Sequence, residues 1–150
     1  MVSDEELGSA VNSRLTYLFK RLHLELGALH DELLAPFGIS TGDLAILLLV
    51  EAGEPESQQQ MARRLDIDRT TMVALIDALE GEGLVARRPD PADRRRNVVE
   101  LTEAGQKTLR QAKRASDQAE RQLLAGLDKA EATQLRSLLR RVAADSDRDR

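Results

Sequence analysis

Asp68-Arg69-Thr70-Thr71-Met72 opens, and Leu79-Glu80-Gly81-Glu82-Gly83-Leu84-Val85-Ala86-Arg87-Arg88 closes, the stretch that decides the fold. Asp68 is an N-cap residue by type. Met72, Leu75, Ile76 and Leu79 then recur at helical spacing and form one apolar stripe. Gly83 stands where a helix ends at its C′ position, so the spacing predicts a helix over 68–82. Just upstream, Gln58 to Leu65 reads as a short helix capped by Ser57, and Asp66-Ile67-Asp68 is a tight turn. Two short helices joined by a three-residue turn make a helix-turn-helix. Downstream the periodicity changes. Leu84 to Arg88 reads as a strand, Pro89-Asp90-Pro91-Ala92-Asp93 as a turn-rich loop, and Asn97 to Leu101 as the returning strand. A hairpin over 84–102 that follows a helix-turn-helix is a wing.

Working outward, Thr41 to Glu51 is apolar almost all round, which predicts a central, buried helix capped by Ser40 or Thr41. Ala52-Gly53-Glu54-Pro55 is a loop, and Ala35-Pro36-Phe37-Gly38 breaks the chain ahead of this helix. Residues 5–34 read as one long helix, because Leu7, Val11, Leu15, Leu18, Leu22, Leu26, Leu29 and Leu33 recur every three or four positions. Thr102 caps a helix over 103–124, a last helix runs over 129–144, and Asp145 to Arg150 is a polar tail expected to fray. The expected fold class is mainly α with a small β-hairpin wing. It is a single winged helix-turn-helix domain over 1–150, with dimerisation helices at 1–35 and 103–146 and a DNA-binding lobe at 40–102.

Composition narrows the function classes. The chain has 150 residues, of which 32% are charged, with two Phe, one Tyr and no Trp. Its apolar residues are mostly Leu, Ala, Val and Ile, which suits a helical protein with long exposed faces. Cysteine is absent, which excludes a disulfide framework, a thiolate zinc site and a thiol redox switch. Met1 to Leu7 is acidic, unlike a signal peptide. The longest apolar run, Leu44 to Val50, has seven residues, against the ~18 that suggest a membrane span. A cytoplasmic protein with no membrane partner is expected. The net charge is −4, but residues 61–97 hold eight Arg against seven acidic residues, while the rest holds 14 basic and 19 acidic. That least acidic segment also carries the clusters Arg87-Arg88 and Arg94-Arg95-Arg96, the placement expected of a nucleic-acid footprint.

The ordered set formed by the opening and closing segments above, then Asp90-Pro91-Ala92-Asp93-Arg94-Arg95, then Leu101-Thr102-Glu103-Ala104-Gly105, strongly resembles the multiple-antibiotic-resistance regulator (MarR) family. The resemblance covers nearly the whole chain, including the long first helix and the two closing helices. It implies a dimeric transcription regulator, usually a repressor, that binds double-stranded DNA. It further implies that Asp77 and Arg87 form a salt bridge between recognition helix and wing, that Asp93 and an adjacent arginine shape the wing tip, and that Arg95 is the best minor-groove candidate. A ligand pocket between the dimer region and the DNA-binding lobe is common in the family. Tyr17, His30, Phe37 and Leu44 are the candidates to line it here, for a small anionic aromatic ligand.

The residues support the same interface without the resemblance. A helix entering the major groove needs one face for the core and one for the bases. With Met72, Leu75, Ile76 and Leu79 turned inward, Arg69, Thr70, Thr71, Val73, Ala74 and Asp77 face outward. Arg69 can read guanine or a phosphate. Thr70 and Thr71 can donate to phosphates or touch a thymine methyl. Val73 and Ala74 are small and apolar, which permits close approach to a groove. Ser57 and Gln58, opening the first helix of the pair, are further DNA candidates. Arg94, Arg95 and Arg96 carry guanidinium groups, which bind phosphate well and enter narrow minor grooves.

The long Leu stripe of residues 5–34 exceeds what one short partner helix covers. Together with Ala112, Ala115, Ala119, Leu123, Leu127, Leu135, Leu138, Leu139 and Val142 it predicts a homodimer. A two-fold axis would then space two recognition helices one DNA turn apart, about 34 Å. His23 and His30 lie seven apart on one helix face, and no third metal ligand has matching spacing. No cofactor is expected. An enzyme is disfavoured by the lack of Cys, of a Gly-rich phosphate loop and of a recognisable Ser/His/Asp motif. The alternative is a winged-helix protein-interaction or architectural module without ligand response.

Overall fold

The computed structural model of the chain describes residues 4–52 and 58–148. In chain order the elements are helix α1 (Asp4–Asn12), α2 (Leu15–Leu34), a 3-10 turn (Ala35–Phe37), α3 (Thr41–Glu51), α4 (Gln58–Leu65), α5 (Arg69–Gly81), strands β1 (Val85–Pro89) and β2 (Asn97–Leu101), α6 (Glu103–Leu123) and α7 (Lys129–Arg148). The strands form one antiparallel pair with Val85 opposite Leu101 and Arg87 opposite Val99. A mainly helical chain with a hairpin directly after a helix-turn-helix is the expected winged architecture. No single helix among the described residues is long and apolar enough to cross a membrane.

The chain divides into two compact units, residues 30–117 and residues 1–29 with 118–150. In the first, α3 is the central helix, with Leu44, Ile46 and Leu47 buried. Its start is fixed by a capping box. Ser40 Oγ accepts from the Asp43 amide at 3.1 Å, and Asp43 Oδ2 accepts from the Ser40 amide at 2.8 Å. Met61 of α4, Met72, Ile76 and Leu79 of α5, Val85 of β1 and Leu109 of α6 close around it. The apolar stripe read in α5 is thus the face that packs, with Leu75 against the edge of the core. Lys113 of α6 pairs with Glu51 at the end of α3.

Two glycines are demanded by geometry. Gly83 has φ +75°, a left-handed conformation that side chains with a Cβ resist. Its amide donates to the Glu80 carbonyl at 2.9 Å, and the Leu84 amide donates to the Leu79 carbonyl at 3.0 Å. These are the two bonds of a Schellman stop, and they turn the chain out of α5 into the wing. Gly105 lies in the first turn of α6, where an added Cβ would stand 1.9 Å from the Leu84 carbonyl oxygen. Thr102 reinforces that contact. Its hydroxyl donates to the Gly83 carbonyl at 2.5 Å and accepts from the Gly105 amide at 3.0 Å, while its own amide donates to the Leu84 carbonyl at 3.1 Å.

The second unit contains α1, α2 as far as Leu29, α6 from Gln118 and all of α7. An apolar groove of about 520 Å³ runs through it, lined by Phe19, Leu22, Leu26, Leu123, Leu135 and Leu139 among others. Leu15, Leu18, Leu24, Leu138 and Val142 lie exposed on the same unit.

Three expectations need correction. The helix predicted over 5–34 is interrupted at Ser13-Arg14. Asn12 and Ser13 are weak helix formers, and Ser13 Oγ donates to the Ala10 carbonyl at 3.0 Å, a local bond that competes with the helical ladder. The tail expected to fray from Asp145 is helical as far as Arg148. No Gly or Pro stands there to stop the helix, and Ser146 Oγ donates back to the Val142 carbonyl at 3.1 Å without breaking it. At the wing tip, the contact Asp93 makes with an adjacent arginine is to its main chain: Asp93 Oδ1 accepts from the Arg95 amide at 3.1 Å.

Candidate nucleic-acid interface

The face of α5 turned away from the core begins at Asp68. Its carboxylate accepts from the Thr71 amide at 2.8 Å through Oδ1 and from the Thr71 hydroxyl at 2.7 Å through Oδ2. The helix start is therefore held by the cap. Arg69, Thr70, Thr71 and Ala74 are exposed and Val73 is half-buried. Thr71 has one constraint that sequence reasoning missed: its hydroxyl proton is already given to Asp68, so toward DNA it offers lone pairs and a methyl group rather than a donor. Gln58 opens α4 and is half-buried. Ser57 lies outside the described residues.

The bond from the Thr71 hydroxyl, followed by that from the Thr71 amide, holds the Asp68 carboxyl below the ordinary value of 3.8. A carboxyl whose folded pKa is depressed adds stability above its unfolded pKa and loses it as pH falls through the folded value. Asp68→Asn keeps a capping oxygen but does not titrate. We expect its melting temperature to fall less than that of the wild type when the pH is taken from 7 to below 3.8. Matching acid profiles for the two proteins in a thermal melt series would show that the cap carries no pH dependence.

The wing tip is closed by its own bonds. The Ala92 amide donates to Asp90 Oδ1 at 2.9 Å, the Asp90 amide to the Arg96 carbonyl at 2.8 Å, and the Arg96 amide to the Asp93 carbonyl at 3.0 Å. With the Asp93–Arg95 contact these make a compact loop that presents Arg94, Arg95 and Arg96, all exposed. Asp90 and Asp93 of this tip each turn one carboxylate oxygen to a main-chain amide. The guanidinium groups are thus displayed on a pre-shaped turn, which lowers the ordering entropy of a phosphate contact.

Helix and wing are joined through Arg87. Its Nη2 lies 2.6 Å from Asp77 Oδ1, the pair implied by the family resemblance, and its Nη1 lies 2.8 Å from Glu80 Oε1. Glu80 was not among the sequence candidates. The signal that points to it is its position three residues after Asp77, on the same helix face. Across the hairpin, Arg88 and Glu100 pair at 2.6 Å, both well exposed.

The ligand candidates fall in both units. Leu44 is buried in the core and Phe37 packs against it. His30 is buried, with Nε2 2.9 Å from Ser116 Oγ. Tyr17 belongs to the other unit and is exposed. His23 lines the apolar groove of that unit. Among the described residues no group of three or more His, Cys, Asp or Glu is placed to hold a metal ion.

A family model described as the MarR family matches residues 39–96. A putative transcriptional regulatory protein for the hcr operon of Thauera aromatica is 30% identical over 105 residues, which are 70% of this chain and 63% of that protein. The matched stretch thus spans somewhat under two thirds of that relative's length. Among solved structures, the transcriptional repressor CouR bound to a 23-mer DNA duplex is 32% identical with a TM-score of 0.82, over 95% of this chain and 99% of that one. CouR from Rhodococcus jostii RHA1 bound to p-coumaroyl-CoA is 28% identical with a TM-score of 0.77, over 88% of this chain and 93% of that one.

Proposed function

This chain belongs to the MarR family of winged helix-turn-helix transcription regulators, and from that membership we propose that it is a sequence-specific repressor that binds a pseudo-palindromic operator in double-stranded DNA as a homodimer. The observation that carries this reading is the coupling of two DNA-directed elements. A capped helix with an exposed Arg69-Thr70-Thr71 face is tied through Arg87 to a wing that displays three arginines. The DNA-bound repressor structure of the similar protein CouR supports it. Residues 30–117 read the DNA. The unit built from α1, α2 and α7 pairs with a second copy, which covers the exposed Leu15, Leu18, Leu24, Leu138 and Val142. An interface of this kind buries more than about 2,000 Å², the range of obligate dimers.

Release by a small anionic aromatic ligand completes the reading, supported by the p-coumaroyl-CoA complex of CouR. Such a ligand acts by preferring an arrangement of the dimer whose helices no longer match the operator. DNA must then weaken ligand binding by the same factor. Of the four candidates, His30, Phe37 and Leu44 share the unit of residues 30–117 and are the residues proposed to meet it.

The test combines light scattering with footprinting of the DNA upstream of the chain's own gene and its neighbours. Expected are a dimer at micromolar concentration and a protected site with two-fold symmetry. A monomer overturns the dimer. Equal affinity for operator and scrambled duplex overturns the repressor and favours an interaction or architectural module. Operator affinity unchanged by saturating aromatic acids and their CoA thioesters overturns the ligand class.

A further inference from the structure

Among the described residues, strand β1 is paired on one side only, by β2. In an antiparallel pair the amides of each strand point alternately toward and away from the partner, so an edge strand carries unpaired donors along its free side. The Arg87 amide is one of these, and it is satisfied. It donates to Glu80 Oε2 at 3.0 Å, while Glu80 Oε1 accepts from Arg87 Nη1 at 2.8 Å. Both oxygens of one carboxylate are therefore spent on one residue, once on its side chain and once on its main chain. Asp77 touches only the guanidinium, through Nη2 at 2.6 Å. The two contacts differ mechanically. A bond to a guanidinium tethers a side chain with four rotatable bonds, and the strand behind it can still shift. A bond to the amide tethers the strand itself. The wing tip follows directly, at residues 90–96.

We propose that Glu80 is a positioning residue for DNA binding: by holding the main chain of β1 against α5 it sets where the wing arginines stand relative to the recognition helix. The proposal rests on the DNA-binding reading above and adds to it a residue that touches no DNA. Its sign is distinctive. Glu80 is a carboxylate on a DNA-directed helix, so deleting its charge should by simple electrostatics strengthen binding to a polyanion. A tether predicts the opposite for a substitution that removes the oxygens, and not for one that removes only the charge.

The experiment compares wild type, Glu80→Ala, Glu80→Gln, Arg95→Ala and the double variant Glu80→Ala/Arg95→Ala. Amide hydrogen exchange is measured without DNA, and affinity for an operator duplex at several salt concentrations. In Glu80→Ala the Arg87 amide should exchange about tenfold faster, with protection inside α5 unchanged, and DNA affinity should fall about tenfold, the scale of one charge-assisted tether. The salt slope should move toward that of Arg95→Ala. Glu80→Gln keeps an acceptor for the amide and should retain both its protection and most of the affinity. In the Arg95→Ala background, Glu80→Ala should cost clearly less than it does alone, because the tether acts through the wing arginines, of which Arg94 and Arg96 remain. Unchanged exchange at Arg87, additive losses in the double variant, or tighter DNA binding by Glu80→Ala each overturns the proposal. A wild-type protein that binds no duplex removes the DNA-binding reading, and the proposal with it, whatever the exchange data show about the tether.

Discussion

Gly105→Ala should destabilise the fold by about 3 kcal/mol, the upper end of what overpacking costs in a close-packed site. The added methyl carbon would stand 1.9 Å from the Leu84 carbonyl oxygen and 2.9 Å from its carbon. Both are backbone atoms, so no rotamer change relieves the clash. Either α6 or the β1 approach must move. Movement breaks the Thr102 amide–Leu84 carbonyl bond at 3.1 Å and the Thr102 hydroxyl–Gly83 carbonyl bond at 2.5 Å, which join the start of α6 to the exit from α5. Gly81→Ala is the matched control. Gly81 lies in α5 with nothing within 4 Å of an added Cβ, and Ala there should stabilise by roughly 0.5 kcal/mol through helix propensity and a less flexible unfolded chain. Urea denaturation of both variants separates the two effects. A Gly105→Ala protein as stable as Gly81→Ala would mean that the packing of α6 on Leu84 is looser than the geometry states.

Arg95→Ala should reduce operator affinity on the order of a hundredfold, from two charge-assisted contacts per dimer worth about 1.5 kcal/mol each. Each lost phosphate neutralisation lowers the slope of log affinity against log salt by about 0.9, so the slope should fall by roughly two. Non-specific duplex should lose affinity as well, since groove charge and phosphate contacts carry little sequence information. The fold should survive, because Arg95 is exposed and only its amide is used by the loop, through Asp93. Thr71→Ala should behave differently. It should weaken operator binding with little change in salt slope, and it should also loosen the α5 start, because the Thr71 hydroxyl belongs to the Asp68 cap. Titrations at several salt concentrations distinguish the two. An unchanged slope in Arg95→Ala would remove the wing contact from the mechanism.

Much of this architecture was legible before any coordinates. Helix stops and starts are local events with local signatures. Asp68, Ser40 and Thr102 cap by short-range bonds, and Gly83 stops α5 because of its own φ, so residue type and spacing suffice to place them. The apolar stripe of α5 and the switch to strand periodicity after Gly83 likewise need only the sequence. Errors came where local signals were weak. Ser13 and Ser146 each donate from Oγ to a nearby carbonyl, yet one sits at a helix break and the other inside a helix.

What the sequence by itself determined is the order of elements from α3 onward, the winged helix-turn-helix, and which faces of α5 are apolar and polar. All three depend on residues within a turn or two of one another. What only the tertiary structure decided involves residues brought together by the turn at Gly83 and the return of the hairpin. The Glu80 carboxylate reaches the Arg87 amide seven positions away, and Leu84 presses on Gly105 across the length of the wing. His30, one of two histidines on a regular stripe, becomes the buried partner of Ser116, 86 residues distant. Such contacts leave no periodic trace, because the geometry that creates them exists only after the helices and the hairpin have packed.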